Sequence, residues 1–270
     1  MLAACFDFDA TTAGGPLVDA ARDVAPMDSA ASSDGGAYCA SQARPTAKGA
    51  LFFCADFDEG RLPGGFSVFR DTSGTLALTT AAWVSRPNAV KETLLATDGG
   101  QSLDVSLRQP LPLPLPPLPS TLAFGFSVEA ARIDPAPNAA LVLGAVDFLD
   151  DAGDRYSLQL SISVQGGAAT VALQEQSVRP DGAAPFQNHP LPVTQTLTAS
   201  MFARVELRVQ WTAPTTASAV VLYDGAPSAA VPLSMTVAAT SLQIGIGTSY
   251  VGEPSPGGVL RYDNALLTAM

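Results

Sequence analysis

Lysine is almost absent from this chain: of 270 residues only Lys48 and Lys91 carry an ammonium group, and the formal net charge is -11. A chain so short of cations has no basic face with which to neutralise a phosphate backbone or settle on an anionic bilayer, which excludes nucleic acid as a partner. Histidine is reduced to His189 and cysteine to Cys5, Cys39 and Cys54; a zinc site needs four ligands, and with a single His one is not expected here. No run of about eighteen apolar residues occurs, so no helix long and apolar enough to cross a membrane is expected. Tryptophan occurs twice, as Trp83 and Trp211, which leaves little aromatic surface for stacking against a sugar.

What is present is apolar residue at 47% with only 14% charged, enough to bury the core of one large domain preceded by a tail. The acidity is concentrated at the start. Between Phe6 and Tyr38 six Asp face one Arg in an Ala-, Ser- and Gly-rich stretch, whose scant apolar surface cannot offset its ordering entropy. Residues 1–38 are therefore read as a disordered acidic linker, a helix through Leu17 to Val24 being the alternative, and residues 39–270 as the folded domain. Leu2-Ala3-Ala4-Cys5 resembles the lipobox of bacterial lipoproteins, at which the cysteine becomes a lipidated N-terminus. A charged and an apolar region should precede it and only Met1 does, so either the start codon is placed too late or the match is chance. On the first reading Cys5 carries a lipid anchor, the only membrane attachment expected, on an exported protein of the bacterial cell envelope or outer-membrane surface. In an exported chain Cys39 and Cys54 then pair with each other, closing a loop worth about 3 kcal/mol. Two buried thiols are the alternative.

From residue 50 onward strict alternation dominates. Leu103, Val105 and Leu107 alternate with Asp104, Ser106 and Arg108; Leu122, Phe124, Phe126 and Val128 with Ala123, Gly125 and Ser127. Tyr156 to Gln165 and Arg204 to Trp211 repeat the pattern, and Leu242, Ile244 and Ile246 add one more strand. Period two places one face in a core and the other in water. Many such strands in one chain predict an all-β fold, a sandwich of two antiparallel sheets. Asp150 to Asp154 and Asp224-Gly225 mark hairpin turns. The Leu- and Pro-rich run from Pro110 to Pro119 is read as an extended connection outside the sheets, because proline lacks a ladder donor. A polyproline ligand is its functional alternative.

Several segments together resemble bacterial laminin G and concanavalin A-like lectin and glucanase domains, over about residues 50 to 270. They are Phe52 to Gly60 continuing to Phe66, Gly99-Gly100-Gln101-Ser102-Leu103, the strand ending at Trp211, Val220 to Gly225, Leu242 to Gly247, and the closing Leu260 to Leu267. The resemblance implies a jelly roll whose last strand lies beside its first. It also implies, in many members, a structural calcium ion where those strands meet, here the Asp263 carboxylate with backbone oxygens of Asp56 and Gly100. The plainer alternative is that Asp263 and Asn264 fix the terminal strand by hydrogen bonds. The acidic stretch Asp147 to Asp154 is a second calcium candidate, or simply a solvated turn.

Enzyme chemistry finds little support in these residues. Glycoside hydrolases of this fold resemble one another in a Glu-x-Asp-x-x-Glu strand, and none of Glu59, Glu92, Glu129, Glu175, Glu206 and Glu253 opens that pattern. Polysaccharide lyases on related jelly rolls use a basic side chain and a tyrosine, whereas His189 stands in a loop-like Asn-His-Pro. No Gly-x-Ser-x-Gly elbow occurs. The expectation is a non-catalytic surface module binding a polysaccharide or other glycan. A structural or adhesive envelope protein stands second and a hydrolase or lyase third. Trp211 falls in the core phase of its strand; no face is assigned to Trp83, and no feature indicates an oligomeric state.

Overall fold

Alternating side chains form strands wherever one face can be buried, and the computed structural model is built almost wholly of such strands. It describes residues 38–270 apart from 99–101, 114–118, 135–138, 166–167, 180–181, 184–186, 191–196, 198–200, 214–215, 235–238, 252–253 and 256. The acidic linker with Cys5, and Gly100, lie outside the described residues.

In chain order the strands are β1 (Leu51–Ala55), β2 (Val68–Thr72), β3 (Gly74–Thr79), β4 (Ala89–Leu94), β5 (Thr97–Asp98), β6 (Ser102–Pro112) and β7 (Thr121–Ile133). They continue as β8 (Ala139–Leu149), β9 (Arg155–Gln165), β10 (Ala168–Arg179), β11 (Gly182–Ala183), β12 (Gln187–Pro190) and β13 (Ala203–Ala213). The last are β14 (Thr216–Tyr223), β15 (Ala226–Pro227), β16 (Val231–Leu233), β17 (Ser241–Val251), β18 (Pro254–Ser255) and β19 (Gly258–Ala269); one helical turn, α1 (Tyr38–Ser41), precedes them all. The first sheet runs β15-β14-β13-β7-β19-β4-β3, with β1 beside β19 and β16 beside β14; the second runs β11-β10-β9-β8-β17-β6-β2, with β12 beside β10. All pairings are antiparallel, as short turns and long crossovers of a jelly roll require.

The core lies between the sheets and takes the apolar phase of each strand. Phe124, Phe126, Val205, Leu207 and Tyr262 from the first sheet meet Leu103, Val105, Phe148, Leu158 and Ile244 from the second. Trp211 belongs to this core, its ring edge-on to Phe148 with centroids 5.7 Å apart. The closing strand does pair with the opening one, Leu51 opposite Ala269 through Ala55 opposite Ala265. The Asp224-Gly225 turn has positive φ at both residues (47° and 81°), the geometry of a tight hairpin.

The proline run departs from expectation. Pro110 and Pro112 are inside β6, opposite Gln243 and Ser241 of β17. The reason is one-sided pairing. The N–H of Leu113 donates to Thr240 O, so the odd residues of β6 face β17, while the carbonyl of Arg108 accepts from Ser67 N–H on the other side. Pairing with β2 ends at Arg108, and the nitrogens of Pro110 and Pro112 point where no strand asks for a donor.

Among the described residues, two buried carboxyls, Glu92 and Glu175, occupy the apolar phase of their strands. Glu92 of β4, fully buried, accepts from Thr248 N–H of β17 (2.9 Å) and from the Tyr262 hydroxyl of β19 (2.8 Å), tying one sheet to the other. Glu175 of β10 accepts from the Tyr156 hydroxyl and from Ser234 N–H just beyond β16. Burial away from water pushes the Glu92 carboxyl up to about 8, against the pull of its hydrogen bonds.

Candidate functional site

Cys39 and Cys54 are disulfide-bonded, which fastens α1 to β1. Asp56 and Asp263 fall near one another, where β19 changes its neighbour from β4 to β1. A break in register between Asp263 and Leu266, with Asn264 at φ 54°, opens the gap. The β3–β4 connection fills it. Asp263 accepts from the backbone N–H groups of Val84 (2.8 Å), Ser85 (2.9 Å) and Asn264 (2.8 Å) and from the Ser85 hydroxyl (3.2 Å). Asp56 accepts from Cys39 N–H at 3.0 Å. These partners are donors, and they fasten the Asp263 carboxylate to the β3–β4 connection; Gly100, the third residue of the calcium expectation, lies outside the described residues. Among the described residues no group of three or more His, Cys, Asp or Glu is disposed to hold a metal. Burial raises Asp263 to about 6 against those hydrogen bonds, and burial followed by the nearby Asp56 and Asp263 charges raises Asp58 likewise to about 6. Trp83 stands on the same connection, half-exposed, with the Arg86 guanidinium over its ring at 5.6 Å.

The stretch Asp147 to Asp154 divides. Its turn is closed by Asp150, whose carboxylate accepts from Ala152 and Asp154 N–H, both at 2.9 Å, while Asp147 belongs to β8. His189 is in β12, opposite Leu173 of β10, and so stands in a marginal strand of the second sheet where a loop was expected. Cross-strand pairing that the local Asn-His-Pro sequence does not announce decides this.

The outer face of the second sheet holds the polar residues that matter most. Register sets Arg108 beside Gly245, Ala145, Gln159 and Gln174 in one row across β6, β17, β8, β9 and β10. Gln243, Asp147, Ser157 and Gln176 form the next row. Period two predicts these side chains in water. Instead Ser157, Gln159, Gln174 and Gln176 are withdrawn from solvent, and the face opens only over β6, β17 and β8. There Ser106, Arg108, Ala145, Asp147, Gln243 and Gly245 line a small, shallow depression.

Its floor is low because Ala145, Gly245 and Gly247 have little or no side chain. A Cβ at Gly245 would come within 3.3 Å of Leu107 O and 3.4 Å of Arg108 Cγ, so any larger residue would crowd the arginine and fill the space. Arg108 is buried and held: its Nε donates to Ser106 Oγ (3.1 Å) and its Nη2 to Asp104 (2.7 Å) and to Ser249 Oγ (3.1 Å). One of these anchors is itself a carboxylate, Asp104 in an ion pair of 2.7 Å, and together the three fix the orientation of the guanidinium. Asp147 is 2% exposed, and its Oδ1 meets no hydrogen-bond partner among the described residues. A buried, unpaired carboxylate oxygen costs about 1–3 kcal/mol or more, which a fold tolerates where a ligand completes the site. Register also brings Arg70 and Arg155 to this face, so arginines gather here in a chain of net charge -11. Sequence reasoning joined none of these residues into a site and reached Asp147 only as one end of an acidic stretch. The available signal was an arginine and an aspartate in the outward phase of strands that elsewhere on that face carry mostly small or uncharged residues.

No protein-family model and no curated protein matches the chain. Solved structures do. Over 81% of this chain and 95% of the other, it is similar to the endo-β-1,4-glucuronan lyase of the fungus Trichoderma reesei, with a TM-score of 0.58 and 16% identity. Over 81% and 99% it is similar to the alginate lyase of a Chlorella virus, with a TM-score of 0.52 and 13% identity. At such identities the likeness shows a shared fold, a jelly-roll sandwich related to the concanavalin A-like class. It corrects the functional ordering drawn from sequence. A non-catalytic binding module was placed first and a lyase last, yet both of these similar structures are polysaccharide lyases.

Proposed function

We propose that this chain is a polysaccharide-cleaving enzyme that acts on uronate-containing chains by β-elimination, at the depression over β6, β17 and β8. The observation that carries the reading is the buried polar patch itself, with an anchored Arg108 and an unpartnered Asp147 around a floor without side chains. A fold shared with two uronate-polymer lyases supports it as analogy. Elimination is favoured over hydrolysis because hydrolysis needs two carboxyls free for acid and base or nucleophile work. The second acid near the depression, Asp104, is committed to Arg108 in an ion pair of 2.7 Å. Such polymers lie outside the cytoplasm, and the disulfide and the lipobox-like Cys5 support an exported, lipid-tethered protein of the cell envelope.

The test is incubation of the full chain with polyglucuronate, polymannuronate and polyguluronate, following the ultraviolet absorbance of the conjugated 4,5-unsaturated uronate that only elimination creates. Activity is expected in the wild type and is expected to be lost in Gly245→Val, which plugs the depression and crowds Arg108. A folded wild type that yields no unsaturated product from any of the three refutes the reading.

A further inference from the structure

β-Elimination at a uronate needs its carboxylate neutralised, a base for the C5 proton and an acid for the departing O4. We infer that Asp147 is the catalytic residue that performs both proton transfers, taking the proton from C5 and returning it to O4, while Arg108 holds the substrate carboxylate. This rests on the reading of the depression as a lyase site and names the proton carrier within it.

Three observations lead to Asp147. It lines the depression, and it is the lining residue that combines near-complete burial with an unpartnered oxygen. It lies two strands from Arg108, across Gly245 and Ala145, and one row along. Strands sit about 4.8 Å apart, so the two charged groups spring from backbones about 10 Å apart laterally, a span that one sugar ring over the bare floor can bridge. Among the described residues, the Tyr156 and Tyr262 hydroxyls point into the core and donate to Glu175 and Glu92.

The step balances without a co-reactant. The Asp147 carboxylate removes the C5 proton, and the electron pair of the C5–H bond becomes the C4–C5 double bond by way of an enolate whose charge faces the Arg108 guanidinium. The C4–O4 bond breaks with its pair remaining on O4. That oxygen then takes the proton from the Asp147 carboxyl, and the aspartate is restored.

One group can serve C5 and O4 only when both project from the same side of the ring. That is the arrangement in β-D-glucuronate and β-D-mannuronate, and the opposite of that in α-L-guluronate. The assignment therefore predicts cleavage of polyglucuronate or polymannuronate and sparing of polyguluronate.

The experiment pairs this preference with Asp147→Asn, which keeps shape and hydrogen bonding but cannot accept the C5 proton. Turnover of the preferred polymer is expected to fall at least 100-fold, a typical loss for a removed general base. Binding of the same polymer, followed by isothermal titration, is expected to stay within about threefold, since an amide still meets the substrate. A wild type that cuts polyguluronate alone, or an Asn variant that keeps more than a tenth of the turnover, overturns the assignment while leaving the lyase reading intact. A wild type that cuts none of the polymers removes both.

Discussion

Replacing Glu92 by Gln should make the protein more stable, and by an amount that grows with pH. Glu92 is fully buried between the sheets, and its carboxyl is pushed up to about 8 from an ordinary 4.5, burial being the main cause. A folded-state value above the unfolded one means that the folded protein holds the proton more tightly. The stability from that proton is complete below pH 4.5, declines as the unfolded chain ionises, and is lost by pH 8. Each unit between the two values removes about 1.4 kcal/mol, so the loss is about 3 kcal/mol at pH 7 and about 5 at pH 8. Gln is the neutral isostere of the protonated acid. Its carbonyl can accept from Thr248 N–H, and its amide can donate to the Tyr262 hydroxyl, the two partners Glu92 has now. Urea titrations of wild type and Glu92→Gln at pH 5, 6, 7 and 8 would read the difference with m-values as a control for two-state behaviour. The two curves should lie close together at pH 5 and separate by about 3 kcal/mol at pH 7, or about 6–12 °C in melting temperature for a domain of this size. The window from pH 6 to 8 lies above the other raised carboxyls, Asp58 and Asp263, both at about 6. If the separation changes by less than about 1 kcal/mol between pH 5 and 8, Glu92 is not the buried acid described.

Two further outcomes follow from the geometry. Reducing the Cys39–Cys54 bond, which closes a separation of 15 residues, should cost about 3 kcal/mol and appear as a lower melting midpoint, matched by Cys39→Ser without reductant. Asp263→Ala strips the acceptor from three backbone N–H groups and a hydroxyl; it should destabilise by about 2–4 kcal/mol and speed hydrogen exchange at Val84 and Ser85 selectively.

Alternation carried the fold well because it reports which face of a strand is dry. Leu103, Val105 and Leu107 of β6, Tyr156 to Ile162 of β9 and Trp211 of β13 all sit inward as their phase requires. The same rule has no access to what lies over the other face. It sends Ser157, Gln159 and Gln174 to water, where the fold withdraws them. Nor does it report neighbours: that Arg108 and Asp147 flank one depression depends on β17 passing between β6 and β8, strands far apart in the chain. The Leu-Pro run misled for a related reason, since a proline forbids only the donor on its own side of the strand. Glu92 entered the sequence reading only as a glutamate that opens no hydrolase motif, although its position carries a signal. It stands between Val90 and Leu94 in the apolar phase of β4, and a carboxylate in that phase marks a buried acid from the residue pattern alone.

The core carboxyl and the outer depression are joined by β17. Inward, Thr248 gives its N–H to Glu92 and its hydroxyl to Val142 O, at the register break in β8. Outward, Gly245 and Gly247 form the low floor and Ser249 steadies Arg108. Gly247 lies at φ 104°, and a Cβ there would come within 2.3 Å of Val105 O, so β17 approaches β6 more closely than a side chain permits. A strand that must be bare on one face cannot be fixed there by packing. It is fixed from the opposite face by hydrogen bonds, and a buried acid is a stronger anchor for a backbone N–H than any apolar neighbour. The burial that makes Glu92 costly at high pH is thus the same burial that holds the floor of the depression in place.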